Sequence, residues 1–129
     1  MSIFGIGTDI VSIKRMESSI KRYGNNFKNK IFSKKEINYC DNKKNSSSYY
    51  AKRFAAKEAF SKSLGTGFRD GFNFKDISVI NDKLGKPSFF ISKKIKNMIK
   101  KKFKIRKFNF FLSITDEEKY SMAFVILQK

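Results

Sequence analysis

Tyr49-Tyr50-Ala51-Lys52-Arg53-Phe54-Ala55-Ala56-Lys57-Glu58-Ala59-Phe60-Ser61-Lys62-Ser63-Leu64 is the stretch on which the fold turns. It follows Ser48, is rich in helix formers and stops at Gly65, a residue suited to the left-handed turn after a helix, so it predicts a helix ending at Leu64. Glu58 and Lys62 are four residues apart and share one face. On a helical wheel Ala51, Ala55 and Ala59 fall in the sector around this pair, while Ala56, Phe60 and Leu64 occupy another. Small side chains beside a carboxylate and an ammonium leave room for something to approach. Two readings of the pair stand: a helix-stabilising ion pair worth about 0.2–0.5 kcal/mol, or two groups of a site.

Outward from this helix, Ile3, Phe4, Ile6, Ile10 and Val11 around Gly5 and Gly7 predict a strand over residues 1–11, with Asp9 near its end. Residues 12–23 carry Ile13, Met16 and Ile20 at helical spacing, with Lys14, Arg15, Lys21 and Arg22 outside the stripe, which predicts a short basic helix. Ser33-Lys34-Lys35-Glu36 matches a capping box and starts a helix reaching Asp41. Residues 43–48 read as a polar loop. Beyond Leu64, Gly65-Thr66-Gly67 and Arg69-Asp70-Gly71 predict irregular chain, and residues 76–80 and 87–91 form a hairpin around a turn at 81–86. Ile95, Met98 and Ile99 make residues 93–104 an amphipathic helix with a solvated lysine face.

The last segment alternates Phe108, Phe110, Leu112 and Ile114, then Tyr120, Met122, Phe124 and Ile126, a second hairpin linked through residues 116–119. Its interleaved positions Phe111, Ala123, Val125 and Leu127 are also apolar, so both faces should be covered or one should lie at a subunit interface. No repeat or linker interrupts the order, and residues 1–129 read as a single α+β domain with an antiparallel sheet packed against helices.

Composition limits the chemistry. Twenty-nine Lys and Arg against eleven Asp and Glu leave a formal charge of +18, which asks for an acidic partner. Lysine supplies 24 of those cations, the signature of an AT-biased coding sequence as much as of selection. Absence of histidine excludes imidazole bases and histidine-containing metal sites. One cysteine, Cys40, allows no internal disulfide and fits a reducing compartment. With no basic leader and no apolar run near 18 residues, the expectation is a cytoplasmic protein that does not enter a membrane.

Gly5-Ile6-Gly7-Thr8-Asp9-Ile10-Val11, and Arg53 through Gly67 with its Phe-x-x-Lys-Glu-x-x-x-Lys core, closely resemble the holo-acyl-carrier-protein synthase family of 4'-phosphopantetheinyl transferases. Asn81-Asp82 with Gly85-Lys86-Pro87, and Leu112 through Glu117 with Tyr120 through Ala123, match its later segments in order. The resemblance implies transfer of the 4'-phosphopantetheine arm of coenzyme A to a serine of apo acyl carrier protein, in fatty acid biosynthesis, with release of adenosine 3',5'-bisphosphate. It implies Asp9 and Glu58 as Mg²⁺ ligands and Glu58 with Lys62 as the catalytic pair. The base for the serine proton stays open between Glu58 and a metal-bound water. Arg53, Ser61, Gly65, Gly85, Lys86 and Pro87 become coenzyme A contacts, the Gly85-Lys86-Pro87 turn coming from a neighbouring subunit of a homotrimer. Lys14, Arg15, Lys21 and Arg22 become the docking face for an acidic carrier. Phe111 stands where many relatives have His, which implies either a weaker hold on coenzyme A or a phosphate contact taken over by a lysine such as Lys43 or Lys44. The competing reading of the charge is a basic nucleic-acid-binding module without catalysis, for which no recognition-helix, RNP or zinc motif is present.

Overall fold

The computed structural model describes residues 1–65 and 72–129. In chain order these form β1 (Ile3–Ser12), α1 (Ile13–Ile31), α2 (Lys34–Asp41), α3 (Ser46–Leu64), a 3-10 turn (Phe74–Asp76), β2 (Ile77–Asn81), β3 (Pro87–Ile91), α4 (Lys93–Phe103), β4 (Asn109–Asp116) and β5 (Tyr120–Gln128). The α+β class is as expected, with the strands divided between two antiparallel sheets, one of order β1-β5-β4 and the other the β2-β3 hairpin. The irregular segment read at Thr66-Gly67 and Arg69-Asp70-Gly71 lies outside the described residues.

The helix at the centre of the sequence is also central in space. Ala51, Ala55, Ala56, Ala59 and Phe60 of α3 are fully buried. Gly65 ends the helix in the left-handed region at φ 80°, where glycine avoids the Cβ clash that other residues meet. Ala55, Ala56 and Ala59 pack with Val79, Ala123 and Val125, and β1 lies so close that a Cβ on Gly5 would overlap the Ser63 carbonyl oxygen and one on Gly7 the Ala59 carbonyl oxygen. The small residues around Glu58 and Lys62 therefore do not hold space open for a ligand. They admit the backbone of the chain's own first strand.

The first helix breaks where expected, after residue 23, since Gly24 is non-helical at φ 58°, ψ −136°; a second helical segment, not expected, then continues α1 to Ile31. Phe27 and Ile31 of that segment join a cluster with Phe32 and Tyr50. One further helix boundary differs from the expectation. α3 begins at Ser46, inside the stretch read as loop, with Asn45 at its start making no side-chain capping bond. The capping box at the head of α2 is present, Ser33 Oγ accepting from the Glu36 amide while the Glu36 carboxylate accepts from the Ser33 amide.

Alternation decides the terminal hairpin. Ala123, Val125 and Leu127 of β5 face α3 and are buried, whereas Ile6, Ile10, Phe111 and Met122 stand exposed on the other side of the three-stranded sheet. Within one chain, the hairpin is covered on one face only. Aromatic residues that a nucleic-acid reading would place outside are largely core: Phe60 stacks on Phe110 with centroids 4.2 Å apart and meets Phe89 edge-on at 5.0 Å.

Gly7→Ala should lose about 3 kcal/mol or more, because a methyl driven into backbone has no rotamer through which to escape. Urea denaturation of the two proteins checks it; equal midpoints would mean that β1 and α3 do not meet as closely as described.

Candidate active site

Alternation along β1 puts Gly5, Gly7 and Asp9 on the side facing α3, so the strand that packs by its glycines delivers a carboxylate one step later. On α3, Glu58 and Lys62 point toward the same end. Asp9, Glu58 and Lys62 share a cavity of about 510 Å³ whose apolar wall includes Val11, Met16, Phe27 and Phe54. The Lys62 ammonium donates to the Thr8 carbonyl at 2.9 Å and to Asp9 Oδ1 at 3.3 Å. Its ion pair is thus with the strand, 53 residues away in sequence, and the helix-stabilising Glu58–Lys62 pairing is not the one adopted. Glu58 is half-buried, and desolvation first, then the negative charge of Asp9, push its carboxyl above the usual range, with Lys62 opposing. Two carboxylates beside an ammonium, at one cavity, are suited to a cation and to a negatively charged substrate. Among the described residues there is no cluster of three acidic, histidine or cysteine ligands, so a metal here would rest on these two carboxylates.

The other predicted contacts gather elsewhere. Arg53, Asn81, Gly85 and Pro87 line a second cavity of about 150 Å³ with Tyr39, Tyr49 and Lys52. Arg53 is buried; its guanidinium lies 4.3 Å from the Tyr39 ring centroid and donates to Asn81 Oδ1 at 3.0 Å, while its Nε has no hydrogen-bond partner. Lys43 and Lys52 lie over Tyr39 and Tyr49 at 4.7 and 4.3 Å. The turn before Pro87 is held by Asp82, whose side chain accepts from the Leu84 and Lys86 amides, and by Asn81, which donates to the Gly85 carbonyl.

At about 100° per residue, Arg53 lies about 140° around α3 from Glu58 and about 180° from Lys62. Within one chain the two groups of predicted contacts open on opposite faces of the helix. Ser61 is buried in α3, and Gly65 stands exposed at its end with its N–H donated to the Lys62 carbonyl. Lys86 is exposed on the turn. Lys14, Arg15, Lys21 and Arg22 are all exposed along α1, and of the four Arg15 reaches the cavity of Asp9 and Glu58. Of the two stand-in lysines, Lys43 sits against the tyrosine pair, whereas Lys44 lines a separate groove beside Ser46. Phe111 is half-exposed on the outer face of the three-stranded sheet.

Tyr39, Tyr49 and Lys52 were not anticipated from the sequence, whereas Asn81 lies in the Asn81-Asp82 segment matched there, though with no role given to it. The signal available for three of the cavity's groups was the spacing of Tyr49, Lys52 and Arg53, which places them on one face of α3. Tyr39 lies on another element and had none.

Against known proteins, the 4'-phosphopantetheinyl transferase superfamily matches residues 5–125. A holo-[acyl-carrier-protein] synthase of Pelagibacter ubique is 60% identical over 129 residues, covering 100% of this chain and 99% of that protein. Among solved structures, the holo-[acyl-carrier-protein] synthase of Neisseria meningitidis superposes with a TM-score of 0.89 at 40% identity, covering 99% of this chain and 100% of that one. The Helicobacter pylori synthase, solved in complex with coenzyme A, gives 0.80 at 34% identity, with 95% and 99% covered. The chain belongs to the 4'-phosphopantetheinyl transferase superfamily.

Glu58 binds its proton more tightly in the folded protein than in the unfolded chain, so its ionisation costs stability as pH rises above the ordinary carboxylate range. In chelator, Glu58→Gln should therefore match the native protein near about pH 4 and melt at higher temperature near about pH 7. Thermal unfolding at both pH values checks the sign, and a Gln variant less stable at neutral pH contradicts it.

Proposed function

We propose that this protein transfers the 4'-phosphopantetheine arm of coenzyme A to a serine of apo acyl carrier protein, releasing adenosine 3',5'-bisphosphate, a step of fatty acid biosynthesis carried out in the cytoplasm by one transferase domain spanning residues 1–129. The observation that carries this reading is the meeting of Asp9, Glu58 and Lys62 at one cavity, in a chain that matches the family from residue 5 to residue 125.

The chemistry follows from the groups present. The serine oxygen must lose its proton as it bonds to phosphorus, and the P–O bond to the departing nucleotide must break. Glu58, with its proton affinity raised, suits the role of acceptor for the serine proton. Lys62, anchored by the Thr8 carbonyl and Asp9, holds an ammonium where charge develops on the leaving phosphate. Asp9 and Glu58 fit Mg²⁺, which takes hard oxygen ligands and needs only one or two protein carboxylates beside substrate oxygens. That ion, when bound, would neutralise pyrophosphate charge.

Coenzyme A contacts assigned to Arg53 and the Gly85-Lys86-Pro87 turn lie across α3 from the acidic pair, with Ser61 and Gly65 at the far end of the helix. A site assembled between copies reconciles them, the nucleotide end resting on one chain and the reacting phosphate on another. The exposed apolar sheet face of Ile6, Ile10, Phe111 and Met122 supports such an assembly, which we read as a homotrimer. The carrier is acidic, and Lys14, Arg15, Lys21 and Arg22 offer it a face that leads through Arg15 to the cavity of Glu58.

Incubated with coenzyme A and Mg²⁺, apo carrier protein should gain the mass of one phosphopantetheinyl group; an unchanged intact mass overturns the reading. Glu58→Gln and Lys62→Ala should each lower turnover by about 10²–10⁴-fold, and the native protein's thermal gain from Mg²⁺ should vanish in Glu58→Gln. Reversing Lys14 and Arg22 to Glu, neither of which lines the cavity of Glu58, should raise the KM for carrier and flatten its dependence on salt while the KM for coenzyme A holds.

A further inference from the structure

Lys57, the first lysine of the Phe-x-x-Lys-Glu-x-x-x-Lys run, has no access to solvent and no part in the cavity of its neighbour Glu58. Each of its three protons is donated: to the Ile31 carbonyl at 2.7 Å, to the Phe74 carbonyl at 2.9 Å, and to Glu36 Oε1. Glu36 is equally buried. Its Oε1 also accepts from the Ser33 amide at 3.0 Å, and its Oε2 accepts from the Val79 amide at 3.0 Å. One ion pair thus joins the end of α1, the start of α2, the middle of α3, the 3-10 turn and β2.

Its placement is uneven with respect to the two cavities. Lys57 is one turn beyond Arg53 and shares its side of α3, about 140° around the helix from Lys62. Val79, whose amide Glu36 holds, itself lines the cavity of Arg53, and two residues on Asn81 accepts from Arg53 and grips the Gly85 carbonyl. The polar groups of the acidic cavity are placed by the contact of Gly5 and Gly7 with α3 and bond to neither Glu36 nor Lys57, whose hydrogen-bonded link to that cavity runs through α1, where Phe27 lines it and Ile31 accepts from Lys57. A buried ion pair is seldom the most stabilising content for its volume, since an apolar pair of similar size often serves as well or better. Its hydrogen bonds, unlike apolar contacts, fix direction.

We propose that Glu36 and Lys57 are positioning residues for coenzyme A: through the Val79 amide they set where β2 places Asn81 and the 82–86 turn against Arg53. The proposal rests on the coenzyme A reading above and acts on donor binding, leaving the chemical step to Asp9, Glu58 and Lys62.

The test uses the full chain with coenzyme A and apo carrier, in the native protein, in Glu36→Gln and in the double variant Glu36→Leu/Lys57→Met, alongside urea midpoints. Carrier modification by the native protein is measured first; its absence sinks the transferase reading, whereas its presence with unaltered variants sinks this proposal alone. The double variant should recover the stability that Glu36→Gln loses, yet keep a KM and a calorimetric Kd for coenzyme A raised about tenfold, with kcat within about threefold of native. A merely structural pair predicts instead that KM returns to native along with stability, and that result overturns the proposal. So does a fall in kcat at unchanged KM. Failure of both variants to fold overturns it as well, since the pair would then be a requirement of the whole fold.

Discussion

The structure depends on the direct contact of two backbones. Gly5 and Gly7 let β1 lie on α3 at the carbonyls of Ser63 and Ala59, closer than any side chain permits. Because strand side chains alternate, the next position on that face, Asp9, meets the helix where Glu58 and Lys62 emerge. Lys62 then reaches back to the Thr8 carbonyl and Asp9. The same approach fixes which face of the β1-β5-β4 sheet is buried, and leaves Ile6 and Ile10 on the other. The packing constraint and the meeting of Asp9, Glu58 and Lys62 are here one feature.

The cations of this chain differ by environment as well as by number. A formal +18 makes most cations interchangeable at a distance, but a few are set apart by what surrounds them. Lys57 is enclosed with Glu36, and burial pulls its ammonium below the usual lysine range while that carboxylate opposes the shift. Arg53 is enclosed against Tyr39, with one nitrogen left unmatched. Lys62 stays partly exposed beside two carboxylates. Cys40, buried with its thiol pushed up to about 12, is packing material and carries no nucleophilic chemistry.

Much of this was legible beforehand. The capping box at Ser33 and Glu36, the C-terminal Gly65, the two hairpins and the alternation of β5 are local patterns, set by hydrogen bonds and side-chain periods within a few residues. The ordered motifs around Asp9, Glu58 and Lys62 pointed to three groups that the structure brings to one cavity. Local pattern missed the helical segment after the break at Gly24, which buries Phe27 and Ile31, and failed at Ser46, where the helix began without a capping side chain. It failed also at the alanines of α3, whose small size serves the approach of a strand and not of a ligand.

By itself, then, the sequence determined the order of elements and the class of fold and singled out Asp9, Glu58 and Lys62 as candidates, because each is written in spacing along the chain. Only the tertiary structure decided that Lys62 pairs with Asp9 and not with Glu58, that Lys57 is enclosed with Glu36, and that Arg53 opens away from the acidic pair. Those outcomes depend on which surfaces exclude water against one another across separations such as the 21 residues from Glu36 to Lys57 and the 53 from Asp9 to Lys62. No periodicity within a helix or a strand carries that information.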